Sequence, residues 1–203
     1  MITKGQLKIL ELFRKNPTKK WTFGELKEEL NESSNNRLQL ALADFERENL
    51  ILIDRKKGFN LINLNVESIS LLSYFSLIDL EKLDSKILSL LGEIKNVVLE
   101  KISFFSMVIF GSYAENKFNK DSDLDVVIIF DNKNIEELIK PEINTIKRKS
   151  LIPLDIHFFS KKYFLEMVFS KKQNLGKEVI NNFLAVYGGE FLYNLILKNE
   201  FIK

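Results

Sequence analysis

The sequence predicts an α+β protein built from two domains and a helical connector. Residues 1–65 contain three helical patterns followed by two short β runs around a turn. Residues 84–203 contain apolar β runs that alternate with amphipathic helical patterns. The segment 66–83 between them has apolar residues at helical spacing. We therefore expect domains at 1–65 and 84–203, with 66–83 as the connector.

Composition limits the classes of protein to which the chain can belong. It is 203 residues long, 45% apolar and 29% charged, which is typical of an ordered soluble protein. The chain has no cysteine, so neither disulfides nor thiolate metal sites contribute. No apolar run reaches the ~18 residues of a membrane span, and the start of the sequence has no signal-peptide pattern. These features predict a cytoplasmic protein without membrane contact.

Charge gives little information about partners. The formal net charge is +2 at pH 7, too small to identify a nucleic-acid binder. Residues 1–65 hold twelve basic and nine acidic side chains, so the positive excess lies in the first domain. This distribution suits DNA contact by that domain, but an excess of this size would also arise by chance.

The first domain contains three short helical patterns. Thr3 can cap the first helix, and Thr22 or Gly24 precedes the second. The third helix has an apolar stripe that we expect to be buried, made of Leu38, Leu42 and Phe45.

A hairpin with a basic tip is predicted at residues 51–64. Three helices followed by a basic hairpin resemble the winged helix-turn-helix domain of many prokaryotic regulators. The resemblance implies that the third helix enters the major groove of duplex DNA, with Arg37 and Gln39 as candidate contacts. Lys56 and Lys57 would then contact phosphates. The alternative is that this domain mediates protein contact or dimerisation.

The connector is predicted to be helical. Its apolar stripe is made of Val66, Ile69, Leu72 and Phe75. We expect this stripe to be buried in the core, and the alternative is a homodimer interface.

The segment 107–130 carries the motif most specific to a function. An apolar β run leads into a Gly111-Ser112 turn, and ten residues later Asp123 and Asp125 open a second apolar run. Because side chains alternate along a strand, the two carboxylates share one face and Leu124 points to the apolar side.

This combination suits a nucleoside triphosphate and hard divalent cations. Gly111 permits close backbone approach, and Ser112 offers a hydroxyl at a helix start, where anions are favoured. Asp123 and Asp125 can bind the cations that neutralise the phosphates. Each half of the motif alone is a common feature of turns or strand edges.

A third acidic residue lies in the apolar run 152–159. We expect Asp155 to be buried there, and a buried aspartate is costly unless it is paired or binds a metal. His157 shares the face of Asp155, so it either lines the same pocket or packs in the core, and we expect the core position. It is the one histidine of the chain, so no zinc site is predicted.

The Gly-Ser and Asp-x-Asp spacing resembles the signature of the DNA polymerase β-like nucleotidyltransferases, especially the minimal nucleotidyltransferases of prokaryotes. The resemblance implies a mixed sheet flanked by helices. It implies that Asp123 and Asp125 bind two Mg²⁺ ions, and that Asp155 binds the catalytic one and helps to deprotonate the acceptor. Gly111 and Ser112 would hold the outgoing phosphates of ATP or another nucleoside triphosphate.

In the loop between the two halves of the motif, Lys117 and Lys120 stand where many minimal nucleotidyltransferases have arginines. They are further candidates for contact with the triphosphate.

The resemblance implies transfer of a nucleoside monophosphate, with AMP from ATP as the leading case, to a hydroxyl acceptor. Similar proteins often act as antitoxins that modify a tyrosine of a HEPN-type toxin, and others modify small molecules such as aminoglycosides. The alternative is a DNA-binding transcriptional regulator whose nucleotidyltransferase domain only binds nucleotide. The acceptor stays open at this point.

Overall fold

The structure is a computed structural model that describes residues 2–56, 58–120, 122–131 and 135–198. Contacts between residues divide the chain into two units, Met1–Ile78 and Asp79–Lys203. This boundary lies within the segment predicted as the connector. The domain limits at residues 65 and 83 stay a prediction.

The first unit contains three helices followed by a hairpin, in the predicted order. Each helix begins after a hydroxyl side chain that accepts a hydrogen bond from the first turn: Thr3, Thr22 and Ser34. At Thr3 and Thr22 a reciprocal bond completes a capping box. The elements are α1 (Lys4–Lys15), α2 (Phe23–Glu29), α3 (Asn35–Arg47), β1 (Ile51–Lys56) and β2 (Phe59–Leu64).

The small sheet of this unit is the two-stranded hairpin. β1 pairs antiparallel with β2, and the nearly buried Trp21 adds an antiparallel bridge to Ile62. The predicted stripe of α3 is buried, with Leu38, Leu42 and Phe45 at most 4% exposed. These helices, the stripe and the hairpin agree with the prediction, while their assignment as a winged helix stays a prediction.

The prediction of a continuous helical stripe from Val66 is wrong. The helix of this segment, α4, is Leu71–Leu80, and Val66 and Ile69 lie before it, 44% and 99% exposed. A turn stands in their place, because the Ser68 N–H donates to the Asn65 carbonyl oxygen at 3.0 Å.

The second unit is a mixed sheet with helices on its faces. Its elements are α5 (Ser85–Leu99), β3 (Phe105–Ile109), α6 (Gly111–Ala114), β4 (Leu124–Phe130), α7 (Ile135–Lys149), β5 (Leu154–Ser160), α8 (Lys161–Phe169), α9 (Leu175–Asn181), β6 (Leu184–Tyr187) and α10 (Glu190–Lys198). The strand order is β5-β4-β3-β6, with β4 and β5 parallel and the other pairs antiparallel. This α+β arrangement is consistent with the predicted fold class. In the described ranges, no helix is long and apolar enough to cross a membrane.

One face of this sheet forms the main core of the second unit. Alternate residues of β4 lie in it, each 3% exposed or less: Leu124, Val126, Ile128 and Phe130. Buried residues of α5 and α7 complete the cluster. Because the alternation is strict, Asp125 points to the opposite face, as predicted.

The sequence of residues 135–149 predicts a helix that Pro141 interrupts near its start. The observed helix α7 runs through Pro141 without a break. A proline inside a helix costs about 3 kcal/mol. Ile135, Ile139 and Ile143 on one side of α7 are at most 4% exposed. Their burial contributes roughly 1.5–3 kcal/mol each, which outweighs the proline.

The two glycines at positions 188 and 189 predict a break in the chain before the last helix, but the sequence does not predict the strand β6 that precedes them. Gly188 has a φ of 59°, and a Cβ there would overlap the Phe105 carbonyl oxygen. The Ser106 hydroxyl donates to the Gly188 carbonyl oxygen at 2.6 Å. Glycine is therefore required where the chain leaves β6.

A buried carboxylate of the second unit, Asp79, is hydrogen-bonded to β6 and α10. Asp79, at the end of α4, is fully buried. Its Oδ2 accepts hydrogen bonds from the Ala185 N–H of β6, at 2.7 Å, and from the Tyr193 hydroxyl of α10. A buried carboxylate is costly without such donors. Both hydrogen bonds therefore stabilise the packing of β6 and α10 around Asp79.

We predict that Asp79→Ala lowers the free energy of unfolding by roughly 2–4 kcal/mol, because it removes the acceptor of two buried donors. Tyr193→Phe removes one bond and should cost about 1 kcal/mol. Urea denaturation followed by circular dichroism measures both. Asp131→Ala, exposed after β4, is the control, and an equal loss in that variant would contradict the prediction.

Candidate active site

Two of the predicted carboxylates lie at the start of β4. Asp123 immediately precedes the strand, and Asp125 is its second residue. Leu124 between them is fully buried in the core on the other face. Asp123 and Asp125 therefore face the same side of the sheet, as the spacing predicts.

The third carboxylate lies beside them on the neighbouring strand. The parallel register of β4 and β5 makes Asp155 the Cα partner of Asp125. The prediction that Asp155 is buried is wrong, because its side chain is 50% exposed. β5 is an edge strand, so an apolar run of this kind does not enclose its polar side chains.

The electrostatics of Asp125 reflect these neighbours. Partial burial raises the pKa of the Asp125 carboxyl above its ordinary value, and the charges of Asp155 and Asp123 raise it further, while His157 opposes the change. The charge of Glu178 acts in the same direction as the two aspartates.

Sequence reasoning missed Glu178. It is an exposed residue of α9, more than twenty residues after Asp155. It belongs to no motif, and only the fold brings α9 close enough for its charge to act on Asp125.

Gly111 packs directly against the Asp125 side chain. It has a φ of 65°, and a Cβ at this position would overlap Asp125 Oδ2. The Phe110 N–H donates to the Asp125 carbonyl oxygen at 3.1 Å, which holds the turn to β4 immediately before the glycine. The glycine is therefore needed for both its backbone conformation and its small size.

Ser112 lies in the short helix α6, next to Gly111. Its carbonyl oxygen accepts from the Lys117 N–H at 2.8 Å, and Tyr113 stacks on Phe118 with ring centroids 4.3 Å apart. These contacts close the loop that follows the turn. The Lys117 side chain is 75% exposed and pairs with Glu115 at 2.9 Å, and Lys120 is also exposed, so their contact with phosphates stays a prediction.

The expectation that His157 packs in the core is wrong. Its side chain is 33% exposed, and its Nε2 lies 3.2 Å from Asp155 Oδ2. Its ring also contacts Phe110 and stacks parallel to Phe159, with centroids 5.9 and 6.2 Å away. His157 therefore orients the third carboxylate from the same strand.

The donor set suits a hard divalent cation. In the described part of the chain, no group of three or more His, Cys, Asp or Glu side chains is drawn together closely enough to hold a metal ion. The fit rests on donor chemistry, since Asp123, Asp125 and Asp155 offer only carboxylate oxygens on one face of two paired strands.

The candidate DNA contacts lie in the first unit. Arg37, Gln39 and Lys56 are exposed, and Lys57 lies outside the described residues. Arg37 pairs with Glu32 at 3.3 Å, and Lys56 with Asp54 at 3.2 Å. Water screens exposed pairs of this kind and leaves them weak, so a phosphate can replace the carboxylate.

Comparison with known proteins finds a match to one family model over part of the chain. Residues 91–181 match the family model described as a nucleotidyltransferase domain. The matched range contains the Gly111-Ser112 turn and all three aspartates. Neither the curated proteins nor the solved structures gave a significant match. The family match supports the assignment of this chain as a nucleotidyltransferase enzyme.

We predict that Gly111→Ala weakens Mn²⁺ binding by roughly 10- to 100-fold, because the added Cβ displaces Asp125. Electron paramagnetic resonance of free Mn²⁺ measures the affinity. Gly92→Ala is a matched control, because Gly92 lies within the helix α5 and a Cβ at this position meets nothing within 4 Å. Unchanged Mn²⁺ affinity in Gly111→Ala would contradict the assignment of Asp125 as a ligand.

Proposed function

We propose that this chain, through the nucleotidyltransferase domain at residues 91–181, transfers a nucleoside monophosphate from a nucleoside triphosphate to a hydroxyl acceptor. ATP is the proposed donor and Mg²⁺ the proposed cation. The observation that carries the proposal is the direct pairing of Asp125 with Asp155 across β4 and β5, with Asp123 on the same face.

The three carboxylates would together bind the cations. Asp123 and Asp125 would bind two Mg²⁺ ions, and Asp155 would bind one of them. Bound Mg²⁺ supplies charge neutralisation at the triphosphate and orients it for in-line displacement. Burial and the two neighbouring carboxylates raise the pKa of Asp125, and a bound cation would favour its charged form.

The Gly111-Ser112 turn would contact the leaving group, and Asp155 would contact the acceptor. The backbone of Gly111 and the Ser112 hydroxyl would bind the outgoing phosphates. The acceptor oxygen bonds to the α-phosphorus as the bond to pyrophosphate breaks. The hydroxyl proton passes to Asp155, which His157 orients at 3.2 Å, and then to solvent.

The acceptor we favour is a protein hydroxyl, with a tyrosine of a HEPN-type toxin as the specific case. In that case the chain is an antitoxin. The half-exposed Asp155 at the sheet edge supports a large acceptor, because an edge strand leaves room on its outer side. Aminoglycoside-like small molecules are the competing acceptor class.

We predict that Asp125→Asn and Asp155→Asn each reduce transfer of labelled AMP by at least roughly 100-fold, because each removes a charged oxygen at the reacting phosphate. The assay combines the full chain, Mg²⁺, labelled ATP and the product of the neighbouring gene. Asp131→Asn, an exposed aspartate just after β4, should keep normal activity. Full activity in the Asp125 and Asp155 variants would refute the proposed site.

DNA binding by the first unit is the second candidate function. It is supported by three helices followed by a hairpin, with Arg37 and Gln39 exposed on α3. In this function the chain is a transcriptional regulator, and the second unit either modifies an acceptor or only binds nucleotide.

We predict that Arg37→Ala weakens binding to duplex DNA from the region upstream of the gene by roughly 5- to 20-fold, since a base or phosphate contact is lost. Fluorescence anisotropy at several salt concentrations measures it. Lys15→Ala is the matched control, because Lys15 is exposed and paired with Glu11 in the same manner. Equal effects of the two substitutions would argue against a specific DNA contact of α3.

A further inference from the structure

A groove of about 330 Å³ runs along the free edge of the second unit's sheet. β5 is the edge strand, and within the described residues no strand pairs with its outer side. Four consecutive residues, 156–159, line the groove, so it follows the edge of β5 and not one of its faces. The opposite wall is one side of α7, formed by Glu136, Lys140, Ile143, Asn144 and Lys147.

The edge of β5 directs backbone hydrogen-bonding groups into this groove. In a parallel ladder, alternate residues point their N–H and C=O groups to the same neighbouring strand. The Leu124 N–H donates to the Pro153 carbonyl oxygen at 2.8 Å. In this register the backbone N–H and C=O groups of Asp155 also point toward β4. Ile156 and Phe158 then point their backbone groups outward. Such groups are a template for a further extended chain.

The wall from α7 adds positive charge. Lys140 is paired with Glu136 at 2.6 Å, and Lys147 stands one helical turn before the loop that leads into β5. Lys147 therefore lies at the end of the groove where β5 begins, which is the end of Asp155. Because Glu136 offsets Lys140, Lys147 gives this wall one net positive charge, which suits a negatively charged segment.

We propose that this groove binds an extended, acidic segment of a protein acceptor, which adds to the edge of β5. Pairing with Ile156 and Phe158 brings a side-chain hydroxyl of the segment next to Asp155. The inference rests on the proposed function, because it names the class of acceptor for the same site.

The experiment uses the full chain with Mg²⁺ and without nucleotide, because Asp123, Asp125 and Asp155 would repel an acidic probe if no cation were bound. The probes are fluorescein-labelled random copolymers, one of glutamate and tyrosine and one of lysine and tyrosine, and fluorescence anisotropy measures binding. Ile156→Pro removes one outward N–H and keeps the hydrogen bonds to β4, which proline tolerates at an edge. Lys147→Glu reverses the charge of the wall. Lys149→Glu is the matched control, exposed in the same turn of α7 and outside the groove.

We expect the glutamate–tyrosine copolymer to bind and the lysine–tyrosine copolymer to bind at least tenfold more weakly. Ile156→Pro and Lys147→Glu should each weaken binding of the acidic copolymer about three- to tenfold, and Lys149→Glu less than twofold. Thermal denaturation checks the fold of Ile156→Pro. If that variant does not fold, the comparison of Lys147→Glu with Lys149→Glu decides the result.

Three results would overturn the proposal. They are equal binding of the two copolymers, equal effects of Lys147→Glu and Lys149→Glu, and a homodimer in light scattering that folded Ile156→Pro dissociates, which would assign the edge to a second copy. AMP transfer is measured separately. Its loss with every acceptor, while copolymer binding persists, would refute the proposed function and leave the groove's ligand class standing.

Discussion

The parallel pairing of β4 with β5 is the interaction on which the candidate site depends. It places Asp125 and Asp155 opposite each other on adjacent strands, about 4.8 Å apart in backbone spacing. Charges so close repel, and the raised pKa of Asp125, caused by burial and then by its two acidic neighbours, reflects this cost. The apolar residues on the other face of both strands, buried against α5 and α7, hold the register against that repulsion.

The position of β5 at the edge of the sheet has two further consequences. It leaves Asp155 half exposed, so the third carboxylate is accessible to an acceptor. It also leaves the outward backbone groups of Ile156 and Phe158 facing the groove along α7. In an interior strand, a second neighbouring strand would pair with these backbone groups and would cover Asp155. The same edge therefore connects the proposed chemistry to the proposed acceptor segment.

Several sequence expectations failed where the answer depended on distant parts of the chain. Asp155 and His157 were expected to be buried because the run 152–159 is apolar, but an edge strand can be apolar and open at once. The strand β6 was missed because its partner β3 lies about eighty residues earlier. Glu178 belongs to no motif, and the folding of α9 alone brings its charge to Asp125.

Local features of the fold follow directly from the amino-acid sequence, since they depend on residues close along the chain. The helix caps at Thr3 and Thr22 and the alternation that separates Asp125 from Leu124 both have this short range. The tertiary structure decided which strand lies beside β4, which strand is the edge, and which acidic residues act on one another. Those depend on strand order and register, which are set by the burial of apolar faces from segments far apart in sequence.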